Sequence, residues 1–380
     1  MLRLSFIAPL LSAISLVPMS ASAANKHLDQ TKYLLYVGSY SNAIQAYRFD
    51  ASTGQLQSLG ATGQVVAPSF LAADPAFRYL YAVSEEESKP GGVAAFAINR
   101  EDGSLRKLNE VSSGGEAPCH LAVDRTGKMV IVANYVTGGV SAYPIQQDGR
   151  LGVMSPLMTA QGHSVNAQRQ TGPHAHEVVI TADNARAYVP DLGLDQIRIY
   201  RLDPAHATLS PNDPPFAKQD PGFGPRHLAF SPDEKFAYVM NELKSQVSVF
   251  AHEKSSGNLT KIQDASSLAP GYSGENGPAE ILVDSAGKFV YVTNRGADTI
   301  AVFAIDHTKG TIHHIQSISS EGNMPRGLEI DPTGHFVFAG NQKSNNFVLY
   351  HIDSTSGQLT ATGQVIHMPS PVAFLFVPAS

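Results

Sequence analysis

The chain has 380 residues, a formal net charge of −6, one cysteine and no tryptophan. Only 16% of residues are charged, and no basic excess is available to neutralise a phosphate backbone or anionic lipid, which excludes nucleic acid and membrane surfaces as partners. Cys119 has no second cysteine to pair with inside the chain, so packing alone must hold the fold in any redox compartment.

Taken in chain order, Arg3 precedes an apolar run from Leu4 to Pro18, and Ala21-Ser22-Ala23 offers the small-residue pattern of a cleavage site. The run is shorter than the roughly 18 residues that a membrane span needs. Residues 1–23 are therefore expected to be a cleaved signal peptide. Residues 24–380 are then one mature domain, periplasmic or secreted, free of membrane contact and monomeric.

Behind this leader, a short strand ending at a small or polar residue recurs seven times, led by Tyr36, Tyr81, Ile131, Tyr188, Tyr238, Tyr291 and Phe338. A proline opening an apolar run recurs at Pro68, Pro118, Pro173, Pro225, Pro278, Pro325 and Pro371. A Gly-x-Leu turn marker follows each third strand, with Ala207 and Ile312 as the departures. Within one copy, His227-Leu-Ala-Phe230, Phe236-Ala-Tyr-Val-Met240, Val247-Ser-Val-Phe250 and Leu259-Thr-Lys-Ile262 alternate with period two and are separated by turn formers. These runs are strands a to d of one unit. Four strands in about 50 residues fit a propeller blade, whereas a β-sandwich module needs about 100.

The predicted fold is thus all-β, a seven-bladed β-propeller of four-stranded antiparallel blades. The chain opens at a strand b, and the last proline run, Pro371 to Val377, is a strand a with no strand b after it. The C-terminal strand should therefore close the ring and remove its open edge.

Strand a of each blade lines the channel, so residues just after each proline and just after each strand b converge on one channel mouth. Those positions hold Cys119, His174, Arg226 and Arg326 from the first set, and Tyr40, Glu85, Tyr135, Glu242, Arg295 and Gln342 from the second. His120, His176, His227 and Glu280 follow within two places of the prolines. His174 is favoured over His176 because it sits one place after its proline, as Arg226 does. His120 and His227 are assigned to contacts between blades, and Glu85 and Glu280 are placed to pair with arginines. A metal on His174, His176 and Glu242 is disfavoured by three nearby guanidiniums, so neither a metal nor another cofactor is expected. The same arginines suit an anionic ligand. Long segments over residues 159–172, 212–224 and 266–277 are positioned to roof the mouth.

Gly172-Pro-His-Ala-His176, Asp191-Leu-Gly193, Gly224-Pro-Arg-His-Leu228, Asn241-Glu-Leu243, Asn294-Arg-Gly296 and Pro325-Arg-Gly327 together resemble the lactonase family of seven-bladed propellers. That family includes propeller-type 6-phosphogluconolactonase and carboxy-cis,cis-muconate lactonizing enzyme, and the resemblance spans the mature chain. It implies a catalytic set of His174, Arg226, Glu242 and Arg295, with a small anionic lactone or sugar acid as substrate. His176, Arg326, Glu280 and Glu85 join as substrate-binding candidates. Lactone hydrolysis needs a base to activate water and positive charge where the carbonyl oxygen becomes anionic, and these residue types supply both. A carboxymuconate cycloisomerase and a non-catalytic exported binding propeller are the competing functions. Export also sets the chain apart from a cytoplasmic 6-phosphogluconolactonase.

Overall fold

Alternating β-branched and aromatic residues put one face of each strand against the neighbouring blade, and the resulting sheets follow one another round a central channel. The computed structural model describes residues 31–86 and 89–380, so the leader expected over residues 1–23 lies outside the described residues. Among the described residues there is no helix. Six blades are four-stranded antiparallel sheets in the sequential order a, b, c, d.

The third blade has three regular strands, Pro118–Val123, Met129–Asn134 and Val140–Pro144. Its fourth position is filled by residues 151–158, joined through the isolated bridges Ile145 to Leu151 and Val140 to Met158. Pro156, which has no ladder donor, lies within this broken outer strand. The roof expected over residues 212–224 is also mostly strand, since Thr208–Lys218 forms the outer edge of blade four and leaves only the final residues as a loop.

The ring closes as expected. Pro371–Pro378 lies antiparallel to Lys32–Ser39, pairing Tyr33 with Pro378 and Val37 with Phe374. Across this joint Phe49 meets Phe336, Phe338 and Phe376 at centroid distances of 5.8, 5.1 and 5.5 Å.

The repeated markers also have a mechanical meaning. In three blades the tyrosine that leads strand b donates its hydroxyl to the glycine carbonyl in the c-to-d turn of the next blade: Tyr81 to Gly149 at 3.0 Å, Tyr188 to Gly257 at 2.7 Å and Tyr291 to Gly357 at 3.0 Å. Those glycines hold φ of 86°, 80° and 73°. A Cβ at Gly149 would lie 2.3 Å from the Tyr79 ring, so both conformation and space demand glycine. Each latch adds about 1 kcal/mol between adjacent blades.

Candidate active site

The site begins with a register defect. In the blades opened by Pro118, Pro225, Pro325 and Pro371, the proline pairs with the last residue of strand b, and the ladder then slips by one residue. The slipped residue is bulged, which re-aims its side chain toward the mouth. Cys119, Arg226 and Arg326 occupy that bulge. The next residue, His120, His227 or Gly327, pairs normally again.

Blade four differs. Its strand a is only Val179–Ile180, and Ala175, not Pro173, bridges to Asp191 at the end of strand b. The Leu192 amide donates to the His174 carbonyl at 3.0 Å, where the Glu242 amide uses Gly224 and the Gln342 amide uses Met324. His174 therefore takes the place of the residue before the proline, and His176 takes the place of Arg226. The expectation that favoured His174 measured from the wrong landmark, because two extra residues lie between Pro173 and the strand.

The side chains follow. His174 is half-buried, donates Nδ1–H to the Tyr135 carbonyl at 2.8 Å and stacks on the Tyr135 ring at 4.7 Å. It does not line the mouth cavity, whereas His176 does. This cavity, of about 360 Å³, is walled by Tyr40, Glu85, Tyr135, Glu242, Arg295 and Gln342 from the ends of strands b, together with Cys119, His176, Arg326, Ala117, Met324 and Arg169.

Glu242 organises the guanidiniums. Its Oε2 lies 3.1 Å from Arg226 Nε and 2.9 Å from the Arg295 guanidinium, and its Oε1 accepts from Arg169 at 2.6 Å. Arg226 also donates to the Ala279 carbonyl, and Arg295 donates Nε–H to Gly277 at 2.7 Å. Burial would raise the Glu242 carboxyl, but Arg295, Arg226 and Arg169 outweigh it and hold the group well below the usual carboxylate range. Burial, with Arg295 and Arg326 beside it, pushes Arg226 down to about 10, so it stays cationic at neutral pH. On the opposite wall, Arg326 lies over the Tyr40 ring at 5.4 Å and 3.9 Å from Glu85, whose Oε2 accepts the Tyr40 hydroxyl at 2.9 Å. Glu85 thus pairs with an arginine as expected.

His176 is 5% exposed, and burial followed by Arg226 drives its imidazole well below the ordinary value, leaving it neutral. Its Nδ1 is 3.8 Å from Cys119 Sγ. Burial pushes that thiol far up, so no thiolate nucleophile forms at neutral pH.

Arg169, like Ala117 and Met324, lines the mouth without being marked by the repeat, although it lies in the segment assigned as a roof. Gln170 fastens this segment by donating to the Leu192 carbonyl at 2.9 Å, and Ser164 donates to Asp195 at 2.6 Å. Asp195 also accepts from the Gly222 and Gly224 amides at 2.6 and 2.7 Å, so one carboxylate ties two mouth loops together. Arg169 further bonds the Tyr135 hydroxyl at 3.0 Å. A second, polar lobe of about 380 Å³ shares Arg169, Glu242 and Arg295 and extends to Asn276, Asn323 and Lys343.

Glu280 is not at this mouth. It stands in the same register as His227, one place beyond the bulge, and its Oε1 accepts from His227 Nδ1 at 2.6 Å. Glu280 reaches toward the opposite end of the channel, where a cavity of about 420 Å³ is lined by Glu177, Glu280 and Glu329, whereas the His227 ring lies 5.1 Å from that of His176. The sequence placed Glu280 with the arginines, but its partner is an imidazole.

The family model described as "Lactonase, 7-bladed beta-propeller" matches residues 34–376. The chain is 35% identical over 302 residues to the 6-phosphogluconolactonase of Bacillus subtilis (strain 168), covering 78% of this chain and 84% of that protein. It is 30% identical over 301 residues to the 6-phosphogluconolactonase of Formosa agariphila, covering 77% and 84%. Among solved structures, the periplasmic gluconolactonase of Pseudomonas aeruginosa superposes with a TM-score of 0.87 at 33% identity, covering 92% of this chain and all of that one. The repeat, the closure and the arginine-rich mouth therefore lie in a chain that belongs to the lactonase family of seven-bladed β-propellers.

Proposed function

We propose that the protein hydrolyses a sugar-acid lactone at the mouth that holds Arg169, Glu242, Arg295 and His176. The observation that carries this reading is three guanidiniums, Arg169, Arg295 and Arg326, on the wall of one cavity with only Glu242 and Glu85 as carboxylates. That balance selects an anionic or strongly polarised substrate. The 6-phosphogluconolactonase relatives and the gluconolactonase neighbour support the same substrate class.

In this mechanism the lactone carbonyl oxygen points at Arg295 and Arg326, whose fixed charge stabilises the oxyanion that forms when water adds. The neutral His176 imidazole takes the proton from the attacking water and returns it to the ring oxygen as the C–O bond breaks. Glu242 is too acidic for that role and serves as the anchor that keeps Arg226, Arg295 and Arg169 convergent. The polar lobe at Asn276, Asn323 and Lys343 receives the hydroxylated arm of the sugar acid.

The leader sequence and the periplasmic neighbour support export, with residues 24–380 as the mature domain. Intact mass spectrometry of the exported protein checks cleavage after Ala23. For activity, pH-stat titration with glucono-δ-lactone and 6-phosphogluconolactone should show acid release well above spontaneous hydrolysis, and Arg295→Ala should abolish most of it. Acid release equal to the enzyme-free rate on both substrates overturns the reading, and stabilisation by the acids without turnover assigns the mouth to binding alone.

A further inference from the structure

Below the mouth the channel carries a cluster, Glu177, His227 and Glu280, to which the proposed hydrolysis assigns no role. Counting one place past the bulge in blades four, five and six gives Glu177, His227 and Glu280, each contributed by a different blade. We propose that these three side chains bind a divalent cation of zinc-like preference, which staples three consecutive blades below the mouth.

The donor atoms are already gathered. Glu177 Oε1, His227 Nδ1 and Glu280 Oε1 all lie within 4.8 Å of one another, with His227 Nδ1 3.7 Å from the first and 2.6 Å from the second. Tetrahedral ligands about 2.0–2.2 Å from a zinc ion stand roughly 3.3–3.6 Å apart, so entry of the ion opens the His227–Glu280 contact by most of an ångström while the 3.7 Å His227–Glu177 spacing already fits. One imidazole with two carboxylates is a donor set suited to zinc rather than to magnesium or calcium, which prefer oxygen alone. Ligation by Nδ1 leaves the His227 proton on Nε2.

Two further features indicate a built site. The Leu228 amide donates to Glu177 Oε2 at 2.5 Å, which fixes that carboxylate and leaves Oε1 turned to His227. The Val178 amide donates to His120 Nδ1 at 3.3 Å, which puts the proton on His120 Nε2, 3.7 Å from Glu177 Oε1, so His120 is a neighbour of the cluster and not a ligand. Charge is the second feature. Glu177 and Glu280 have side chains only 10% and 12% exposed, and among the described residues no lysine or arginine lies within ion-pair distance of either. Arg226, the nearest guanidinium layer above, is committed to Glu242 and the Ala279 carbonyl. Carboxyls this buried, with no cation in ion-pair distance, are costly to leave ionised, and a bound metal would let them ionise as ligands.

The cavity of about 420 Å³ gives the ion its route and room for a water as fourth ligand. Phe70, Phe230 and Phe374 collar it, Glu329 adds a third carboxylate to its wall, and Arg125 stands at the exposed rim bonded to the Ile180 carbonyl.

The test uses untagged mature protein, stripped with chelator and equilibrated with zinc chloride alone. Elemental analysis after desalting should find about one zinc per chain, and the melting temperature should rise by several degrees. Glu177→Gln with Glu280→Gln should remove both effects, and magnesium or calcium at the same concentration should not reproduce them. Cobalt in the wild-type protein should give visible d–d absorption of a mixed nitrogen and oxygen site, which needs no variant to fold. Absence of retained zinc and of the cobalt spectrum, or equal retention by the double variant, overturns the proposal. None of these readouts depends on lactone turnover.

Discussion

Ala175 pairs with Asp191, and in the blades on either side the equivalent place opposite the end of strand b belongs to a proline. This relationship shifts the blade by two residues and places the His176 side chain, rather than His174, on the wall of the mouth cavity.

Glu242 is the keystone of the guanidinium layer, so Glu242→Gln should do more than weaken activity. It leaves Arg226 and Arg295 buried beside a neutral amide, and breaking a buried pair in this way costs about 3 kcal/mol. Urea unfolding followed by circular dichroism should show a lower midpoint at an unchanged slope.

The same carboxylate sets an acid limit. Its folded-state pKa is depressed below the 4.5 of an unperturbed glutamate. A depressed acid contributes stability that is fully present above the unfolded value and is lost as pH falls toward the folded one. The wild-type protein should therefore lose stability progressively below pH 4.5, and Glu242→Gln should flatten that loss when unfolding midpoints are compared between pH 6 and pH 3.

Arg169 reaches the site from a loop rather than from a blade, and it is more exposed than Arg226 or Arg295. Arg169→Ala should raise KM for an anionic lactone roughly tenfold with a smaller change in kcat, because a charge-assisted contact to the ligand is lost while the deeper arginines remain. Arg169→Lys should recover part of the loss. Initial-rate kinetics on charged and neutral lactones will separate the two effects.

Closure by the last strand should be worth a large share of the stability. Phe49→Ala removes a ring that touches Phe336, Phe338 and Phe376 across the joint and should cost about 3–5 kcal/mol. Deleting residues 371–380 should lower the cooperative melt further still, since it strips the inner strand from blade one. A truncated chain that melts like the intact protein would contradict the closure.

Most of the fold was legible because the blades repeat the same physical needs: a bulky residue leading strand b, which in three blades is a tyrosine latched to a glycine carbonyl of the next blade, and a turn former between strands a and b. The glycines that a Cβ would drive into Tyr79 or Phe289 are the Gly-x-Leu markers themselves. The mouth was legible at the ends of strands b, since Glu85, Glu242 and Arg295 all reach the cavity. It was less legible after the prolines, because a proline marks where a strand can begin and not where its ladder starts. The turn after strand a is the better landmark: its first residue, Ser231 or Thr181, caps the amide five places on, and counting back five from each gives Arg226 and His176. Arg169 carried no repeat signal at all, since a roof loop in one blade has no counterpart in the others.

In the proposed mechanism the imidazole that serves the mouth belongs to His176. The most direct measurement is kcat/KM for glucono-δ-lactone, corrected for spontaneous hydrolysis, in His176→Ala and His174→Ala variants of matched stability. His176→Ala should lose about a hundredfold or more, the scale of a missing general base, while His174→Ala, which loses a hydrogen bond to the Tyr135 carbonyl, should stay within about fivefold of wild type. A hundredfold loss at His174 with near-normal turnover at His176 would contradict the account.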